Sequence, residues 1–380
     1  MLSHVLVARM DSIGDVLLSG PVVRAVAAGA GRVSYLCSPR GAAAAALLPG
    51  VDEVVVGRAG WIEAEPPPVD RAMVDDLVDR VRRLRVDRAM VLTSFHQSPL
   101  PLALILRMAG VAVIGAVSVD YPGSLLDVRH RVDDDIHEVE RSLSLGSAMG
   151  YELPAGDDRS LRIVDDSVPT GIGGLPTGPY VVVHPGASVP ARAWRPEGHA
   201  EVVRVLSASG WAVVVTGAPG ERALTATVAG GRRRPGRGAA VVDLGGRLDL
   251  AGLATVVAGA RAIVVGNTGP AHLAAAVGTP VVSLFAPTVP SPRWRPWMVG
   301  HVLLGDQSIP CAGCRARVCP VPGHPCVDRL TATQIAAAVD ALAGPAEDPA
   351  GPAEDPAGPV QGTAGRIGPS RRRARAGAPQ

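Results

Sequence analysis

The chain has 380 residues, 47% of them hydrophobic, and a formal net charge of +2. This length predicts two domains, and the apolar content is enough for two cores. A charge so close to zero gives no electrostatic reason to expect a nucleic acid or an anionic membrane as a partner. All 37 basic residues are arginines, which indicates a compositional bias, so Arg can stand where a related chain would carry Lys.

The N-terminal segment Met1–Val16 carries charges within its apolar run, so it does not match a signal peptide. Residues 98–119 are the only apolar stretch of membrane-spanning length, but Arg107 lies at its centre and prolines and a glycine interrupt it. A buried helix, Leu102–Met108, followed by a strand, Val111–Ile114, explains the stretch better. We therefore expect a cytoplasmic protein.

Strand and helix patterns alternate over residues 1–167, as in a parallel α/β sheet. The loop Val117–Val132 is polar and irregular, and we expect it to form a wall of a cleft. The other strands are predicted at His4–Ala8, Val33–Leu36, Glu53–Val56 and Arg88–Leu92, and the other helices at Asp15–Ala28, Val69–Leu84 and His137–Met149.

A Gly- and Pro-rich linker, Val168–Pro179, separates this half from a second alternating run in residues 180–342. Two doubly wound halves predict a cleft between them, with ligands at the carboxyl ends of the strands. Neither half contains the glycine fingerprint of dehydrogenases or the phosphate loop of P-loop enzymes. Strands are predicted at Tyr180–Val183, Ala212–Val215, Ala240–Val242, Ile263–Val265 and Val281–Leu284, with helices beginning near Pro196, Pro219, Leu250 and Pro270.

The stretch Ala262–Pro280 is typical of a buried strand, a Gly/Thr turn and a helix that begins at Pro270. The free amides and the positive dipole end of such a helix attract an anion. Thr268 can add a hydroxyl and His272 an imidazole on the same turn. An ordinary strand–helix turn with Thr268 as N-cap is the alternative that this stretch alone leaves open.

Three further turns carry polar residues towards the predicted cleft. Asp15 opens the first helix, where it is either a general base or a solvated acid favoured by the helix dipole. His184–Ser188 follows the first strand of the second half and is either a phosphate-binding turn or a simple one. Glu221, in Thr216–Glu221, can hold ribose hydroxyls or satisfy backbone amides.

Four motifs, in this order, resemble the bacterial heptosyltransferases of glycosyltransferase family 9. The similarity extends from about residue 4 to residue 342, and a cysteine-rich segment, Cys311–Cys326, resembles the heptosyltransferase II branch. The four motifs are R-x-D-x-I-G-D-V-L-L-S-x-P (Arg9–Pro21), H-P-G-A-S…R-A-W (His184–Trp194), G-A-P-G-E (Gly217–Glu221) and N-T-G-P-A-H-L-A-A-A-x-G-T-P (Asn267–Pro280).

The resemblance implies a GT-B fold of the α/β class, with two Rossmann-like, doubly wound domains facing a cleft. Residues 1–167 would bind the acceptor and residues 180–342 the nucleotide sugar. The implied reaction is an inverting, metal-independent transfer of a heptose from an ADP-activated donor to a hydroxyl of a glycan, lipid-linked or small-molecule acceptor, without a cofactor. No nucleic acid is expected as a partner, and membrane contact is at most peripheral, at the inner face.

Position by position, the resemblance makes Asp15 the catalytic base that deprotonates the acceptor. Arg192 matches a Lys that contacts the donor phosphates, and Glu221 matches the acid that binds the nucleoside. With no metal-binding acid pair evident, the helix N-terminus at Pro270, together with Arg192 and His272, would balance the leaving diphosphate. The predicted donor-binding residues are Ser188, Arg192, Thr216, Glu221, Asn267, Thr268, Gly269 and His272.

Asn267 stands where the lipopolysaccharide enzymes carry an Asp, which removes a carboxylate that could contact heptose hydroxyls. A family member that uses another nucleotide sugar is therefore the first alternative. A nucleotide-sugar-binding protein without transferase activity is the second, and it requires Asp15 to be idle.

The cysteine-rich segment has ligand types for structural zinc, but its second cysteine pair is widely spaced. Free thiols or a redox-labile disulfide are the alternatives. The candidate zinc ligands are Cys311, Cys314, Cys319, Cys326 and His324.

Beyond a helix at Thr331–Leu342, the Pro-, Gly- and Ala-rich residues 343–380 are predicted to be disordered.

Overall fold

The computed structural model describes residues 3–63, 66–133, 135–164, 171–230 and 238–346. These residues belong to one compact unit that contains two six-stranded parallel sheets. The predicted α/β fold with two Rossmann-like halves is confirmed. Most of the predicted disordered tail, residues 347–380, lies outside the described residues, as do residues 168–170 of the predicted linker.

The first sheet is built from six short strands, and all of its strand pairs are parallel. Its strands are β1 (His4–Arg9), β2 (Arg32–Cys37), β3 (Glu53–Val56), β4 (Arg88–Leu92), β5 (Val113–Val117) and β6 (Val128–His130). Its helices are α1 (Ile13–Leu18), α2 (Gly20–Gly29), α3 (Ala42–Ala45), α4 (Arg71–Leu84), α5 (Leu100–Met108) and α6 (Glu138–Ala148).

The second sheet repeats this design, again with parallel pairs only. Its strands are β7 (Tyr180–His184), β8 (Ala212–Val215), β9 (Val241–Asp243), β10 (Ala262–Gly266), β11 (Val281–Leu284) and β12 (His301–Leu304). Its helices are α7 (Pro196–Ala208), α8 (Arg222–Val228), α9 (Leu250–Ala258), α10 (Gly269–Ala276), α11 (Ser291–Trp294), α12 (Pro325–Asp328) and α13 (Ala332–Ala343).

Both sheets have the strand order of the Rossmann fold. The first runs β3-β2-β1-β4-β5-β6 and the second β12-β11-β10-β7-β8-β9. The order reverses between β1 and β4 in the first sheet and between β7 and β10 in the second. Because ligands of open α/β sheets bind at the carboxyl ends of strands beside this reversal, four loops are marked as site-forming: those after β1, β4, β7 and β10.

The prediction of a single helix at Asp15–Ala28 is wrong. The structure has two helices there, α1 and α2, because the helix is interrupted at Ser19. The Ser19 hydroxyl lies 2.6 Å from the Val16 carbonyl and 2.7 Å from the Tyr35 hydroxyl, so it ends α1 inside the core. Pro21 then occupies the first turn of α2, where its missing N–H costs no helical hydrogen bond.

Two strands were not predicted, and both lie at a sheet edge. β6 lies inside the loop that the sequence predicts to be irregular, and β12 follows a Pro- and Trp-rich segment. Each pairs on one side only and is only partly buried, so neither carries the continuous apolar run of a central strand. β5 begins at Val113, two residues later than predicted.

The two halves of the chain share an apolar core. One cluster of buried side chains includes residues of both halves, such as Val7 and Leu17 from the first and Val182 and Leu273 from the second. Within the described ranges, no helix is both long and apolar enough to cross a membrane.

Candidate active site

A cavity of about 360 Å³ lies at the carboxyl ends of the strands beside both reversal points. Its lining comes from both halves of the chain. Seven of the nine predicted site residues line it: Asp15, Ser188, Arg192, Asn267, Thr268, Gly269 and His272.

Arg9, the last residue of β1, is a buried contact point for three carboxylates. Its guanidinium lies 2.7 Å from Asp11, 3.0 Å from Asp15 and 3.2 Å from Glu138. Its Nη2 also donates to the Ser94 hydroxyl at 3.0 Å. The side chain of Arg9 is 2% exposed, so the interaction with each carboxylate is little screened by solvent.

The two aspartates beside Arg9 have opposite acid–base properties. Burial alone would raise the pKa of Asp15, but the charge of Arg9 and the hydrogen bond from Ser12 outweigh it and lower that pKa. Burial raises the pKa of Asp11 to about 6, although Arg9 opposes the rise. Asp15 therefore stays ionised throughout the neutral range, whereas Asp11 takes up a proton near pH 6.

The opposite wall is the N-terminus of α10. Thr268 is its N-cap residue, but the hydroxyl makes no capping hydrogen bond, so it leaves the first-turn amides unoccupied by its side chain. Asn267 is nearly buried and its Nδ2 donates to the Ala286 carbonyl at 3.2 Å. Its Oδ1 has no hydrogen-bond partner within the described part of the chain. The N-terminus of α10 can receive an anion.

His272 lies on the first turns of α10, beside Asp15. Burial lowers the pKa of His272 to about 4, and Asp15 only partly offsets this effect. At neutral pH the imidazole is therefore uncharged and acts through hydrogen bonds only. The positive charge that the sequence assigned in part to His272 falls to Arg192 instead.

Arg192 is one of three arginines of the second half that line the cavity, with Arg315 and Arg317. Its Nε donates to the Thr288 hydroxyl at 3.2 Å, which holds the guanidinium in place. Burial lowers the pKa of Arg192 and Asp15 opposes the change, but an arginine stays charged at neutral pH. Arg192 and the amides of α10 together supply a positive wall opposite Asp15.

Thr216 and Glu221 do not line this cavity. Thr216 is fully buried and hydrogen-bonds to His184 Nδ1 at 2.9 Å. Glu221 accepts from the Ala218 amide at 2.8 Å and lies directly against Gly186, where a Cβ atom would be 2.3 Å from its carboxylate oxygens. Both residues sit on the same sheet edge as Ser188, beyond the cavity wall, and their predicted donor-binding roles stay predictions.

The two halves touch where α1 meets α10. A Cβ atom on Gly14 would lie 2.8 Å from His272 Cδ2 and 3.2 Å from Gly269 Cα. A Cβ atom on Gly269 would lie 3.2 Å from Ile13 Cγ2. Only glycines allow the two helix N-termini to approach this closely, so Asp15 and His272 face each other across the cavity.

Several cavity residues were not predicted from the sequence. The loop after β4 supplies Ser94, His96 and Gln97, and Gln97 Nε2 donates to Asp11 at 2.5 Å. The cysteine-rich segment supplies Arg315 and Arg317. The loop after β4 could have been predicted to line the site, because β4 lies beside the reversal of strand order in the predicted parallel sheet.

The cysteine-rich segment is a loop that runs into α12, and its thiols are free in this structure. Its four cysteines and His324 line a small cavity of about 30 Å³. His324 Nε2 lies 3.1 Å from the Ala191 carbonyl. Among the described residues, no three His, Cys, Asp or Glu side chains are arranged to hold a metal ion. The geometry therefore gives no support to zinc over free thiols.

The fold agrees with comparisons with known proteins. Lipopolysaccharide heptosyltransferase 1 of Pseudomonas aeruginosa is 35% identical over 190 residues, which are 48% of this chain and 48% of that protein. The structure of Escherichia coli ADP-heptose lipopolysaccharide heptosyltransferase II has a TM-score of 0.67 at 19% identity, covering 89% of this chain and 98% of that one. TibC of enterotoxigenic Escherichia coli, a dodecameric iron-containing heptosyltransferase in complex with ADP-D-beta-D-heptose, has a TM-score of 0.51 at 18% identity, covering 90% of this chain and 76% of that one.

A sequence model of glycosyltransferase family 9 (heptosyltransferase) matches residues 76–324. This range is more than half of the chain, and the chain belongs to this family. It spans about half the length of the curated relatives it matches. The matches include a heptosyltransferase 1 by sequence and a heptosyltransferase II by structure, so they do not resolve the predicted heptosyltransferase II branch.

Proposed function

We propose that the protein is an inverting, metal-independent glycosyltransferase that moves a heptose from an ADP-activated donor to a hydroxyl of a glycan or glycoconjugate. The observation that carries this proposal is the pairing of Asp15 with the N-terminus of α10 across one cavity. An ionised carboxylate on one wall and an anion-binding helix end with Arg192 on the other are what such a transfer needs.

The reaction follows from this arrangement in one displacement. Asp15 takes the proton of the acceptor hydroxyl as the oxygen forms its bond to the anomeric carbon. The bond from that carbon to the diphosphate breaks on the opposite face, which inverts the configuration. The diphosphate leaves with the electron pair, and Arg192 and the amides of α10 stabilise its negative charge.

In this proposal the first half binds the acceptor and the second half binds the nucleotide sugar. Membership of the family and the donors named for heptosyltransferase II and TibC support an ADP-heptose donor. Arg192 and the N-terminus of α10 support a diphosphate without a metal ion. A cytoplasmic location, with at most a peripheral contact at the inner face of a membrane, remains a prediction.

Asn267 favours a second candidate, a transferase of the same family that uses another nucleotide sugar. Its amide is oriented by the Ala286 carbonyl, and a neutral amide stands here in place of a carboxylate. A neutral acceptor binds sugar hydroxyls more weakly than a charged one.

Release of free nucleotide measures the proposed function directly. The purified chain is mixed with ADP-heptose, UDP-glucose or GDP-mannose, each with and without a panel of glycan acceptors. We expect acceptor-dependent ADP release from ADP-heptose. Release from another nucleotide sugar only would establish the second candidate, and tight ADP-heptose binding without release with any acceptor would indicate a binding protein.

A further inference from the structure

A cluster of four thiols lies directly behind the active-site cavity. Thr288 lines both the active-site cavity and the small cavity of about 30 Å³, so it belongs to the wall that separates them. The proposed transfer uses none of the thiols. The four cysteines that line the small cavity are Cys311, Cys314, Cys319 and Cys326.

Cys311 and Cys314 are the thiols best placed to react. Both are exposed, whereas Cys326 is buried, and burial raises the pKa of Cys326 to about 11. Because the thiolate is the nucleophile, Cys326 is unreactive at neutral pH. Cys311 and Cys314 lie three residues apart, on a turn that the Ala312 amide closes by donating to the Ile309 carbonyl at 2.9 Å. A C-x2-C pair is the arrangement that disulfide oxidoreductases use for reversible oxidation.

Hydrogen bonds connect this turn to the positive wall of the active site. The Gly313 amide donates to the Pro287 carbonyl at 2.7 Å, and the Arg315 amide donates to the Thr288 carbonyl at 2.9 Å. The Thr288 hydroxyl in turn accepts from Nε of Arg192 at 3.2 Å. A displacement of the turn therefore reaches the guanidinium that faces the proposed diphosphate.

Arg315, the residue after Cys314, has an unusual backbone conformation. Its φ of 53° lies in the left-handed region, which residues other than glycine rarely adopt. Its side chain lines the active-site cavity, with the guanidinium carbon 4.3 Å from the centre of the Phe95 ring. Such a conformation persists only while the surrounding contacts hold it, so a small shift at Cys314 is enough to release it.

We propose that Cys311 and Cys314 form a reversible redox switch, whose disulfide draws Arg315 and Arg192 away from the active-site cavity and slows the transfer. The inference rests on the proposed function, because it concerns regulation of the same site. A disulfide holds its two sulfur atoms about 2.05 Å apart, so the turn must tighten when the bond forms. The positive wall then loses the geometry that stabilises the leaving diphosphate.

The oxidant is a low-molecular-weight disulfide such as glutathione disulfide. One cysteine thiolate attacks it, forms a mixed disulfide and releases one glutathione. The second cysteine thiolate attacks the protein sulfur of that mixed disulfide and releases the other glutathione. Two protein thiols are thereby oxidised, one glutathione disulfide is reduced to two thiols, and the two protons pass from the cysteines to the released glutathione.

The test compares the full chain after treatment with glutathione disulfide and after treatment with dithiothreitol, both in EDTA so that no metal ion occupies the thiols. Peptide mapping without reduction identifies the bond. The readouts are the affinity for inorganic pyrophosphate, measured by calorimetry, and turnover of ADP-heptose with an acceptor. We expect the oxidised form to bind pyrophosphate about fivefold or more weakly and to turn over about tenfold or more slowly, with dithiothreitol restoring both.

Variants assign the effect to the two thiols. Cys311→Ser and Cys314→Ser should each keep the turnover of the reduced protein and become insensitive to glutathione disulfide. Cys319→Ser removes a thiol from the same small cavity and is the matched control. It should remain as sensitive as the unchanged protein.

The proposal is overturned if no bond forms between Cys311 and Cys314 at any ratio of oxidised to reduced glutathione, or if Cys319→Ser also abolishes the response. It is equally overturned if the bond forms and either the pyrophosphate affinity or the turnover of an active enzyme stays the same. A protein that is inactive in both forms, but whose pyrophosphate affinity still follows the redox state, would refute the proposed function and leave the switch in place.

Discussion

Gly14 and His272 meet across the two halves of the protein so closely that a single added methyl group would not fit between them. A Cβ atom at position 14 would lie 2.8 Å from Cδ2 of the buried His272 ring. The contact sets the distance between the carboxylate of Asp15, one residue further along α1, and the first turns of α10. A glycine in a helix therefore serves the geometry of the site here.

Gly14→Ala tests this contact. An alanine gains about 1 kcal/mol over glycine from helix propensity, but overpacking of a buried contact costs about 1–3 kcal/mol. We expect the variant to be less stable by urea unfolding and to turn over more slowly, because α1 and α10 are pushed apart.

Gly178→Ala is the control for Gly14→Ala, since no atom lies within 4 Å of a Cβ there. It should leave turnover unchanged. Equal stability and equal turnover of the two variants would show that the close contact between Gly14 and His272 affects neither the stability nor the activity of the protein.

Arg9→Met tests the buried cation beside the base. Removing the guanidinium leaves Asp11, Asp15 and Glu138 buried without their common partner. Breaking a buried pair of this kind costs about 3–5 kcal/mol. The pKa of Asp15 should also rise, because Arg9 is the main group that lowers it, so the acidic limb of the pH–rate profile should move to higher pH.

Arg32→Met is the matched control, because Arg32 forms an exposed pair with Glu53. Such a pair contributes about 0–1 kcal/mol. Unfolding in urea and a pH–rate profile on both variants make the comparison. If Arg9→Met lost no more stability than Arg32→Met and kept its pH profile, the assigned role of Arg9 would be wrong.

Much of the site was predictable because it lies in loops that follow central strands. Strand periodicity located β1, β7 and β10, and parallel strands end at the same sheet edge. Glycine and threonine turns then marked the loop of Asn267–His272 and the turn that carries Ser188. Seven of the nine predicted residues line one cavity, but some of them, such as Arg192, were assigned by the family resemblance and not by these local signals.

The rest of the site depends on contacts that no local pattern contains. Arg9 appears in the sequence as the last residue of an apolar strand, and Glu138 lies 129 positions away from it. Arg315 comes from a segment that the sequence singled out for its cysteines. The charge of His272 depends on burial, which lowers its pKa to about 4 and which only the packed structure reveals.

Stability should fall as the pH drops below about 6.5. Burial lowers the pKa of His137 and His184 to about 4 and that of His199 to about 3. An unfolded histidine titrates near pH 6.5. Below that pH the unfolded state therefore binds protons at these histidines, whereas in the folded state they stay unprotonated. The raised pKa of Asp11 acts in the opposite direction between about pH 4 and 6, but it is one group against four histidines, since the pKa of His272 is lowered as well.

Melting temperatures between pH 7.5 and 5 measure this effect. We expect a steady fall below about pH 6.5 and a smaller slope in His199→Phe, because phenylalanine keeps the edge-on ring contact with Trp194 and cannot be protonated. A melting temperature that is flat or rising as the pH falls from 6.5 to 5 would contradict the burial of neutral histidines.

Turnover should survive removal of metal ions. Arg192 and the amides of α10 face the proposed diphosphate, so no cation is required there. We expect turnover in EDTA to stay within about twofold of the untreated protein, which is too small a change for the loss of an essential Lewis acid. Strict dependence on added magnesium, manganese or iron would refute the metal-independent mechanism.

Metal bound by the cysteine-rich segment would have a different signature. Cys314→Ser changes a side chain that lines the small cysteine cavity and not the active-site cavity, so it should leave kcat unchanged even if it lowers the melting temperature. A loss of kcat that follows the metal content of the purified protein would instead tie this segment to the chemistry.

Asp15→Asn decides whether the cavity is catalytic. The substitution keeps the size of the side chain and can still hydrogen-bond to Ser12, but it removes the basic site. We expect turnover to fall by about 100-fold or more, the usual scale for a lost general base. The dissociation constant for ADP should change little, because donor binding is assigned to the second half.

Two comparisons make the Asp15→Asn result specific. Glu140→Gln removes an exposed acid from the first turn of α6 and should leave the rate unchanged, which tests whether any first-turn acid matters. Asp11→Asn removes the neighbouring carboxylate, which Arg9 and Gln97 already engage, and should cost less than Asp15→Asn. A folded Asp15→Asn protein with near-normal turnover, beside an inactive Asp11→Asn protein, would transfer the role of base to Asp11, whose pKa of about 6 suits proton transfer near neutral pH.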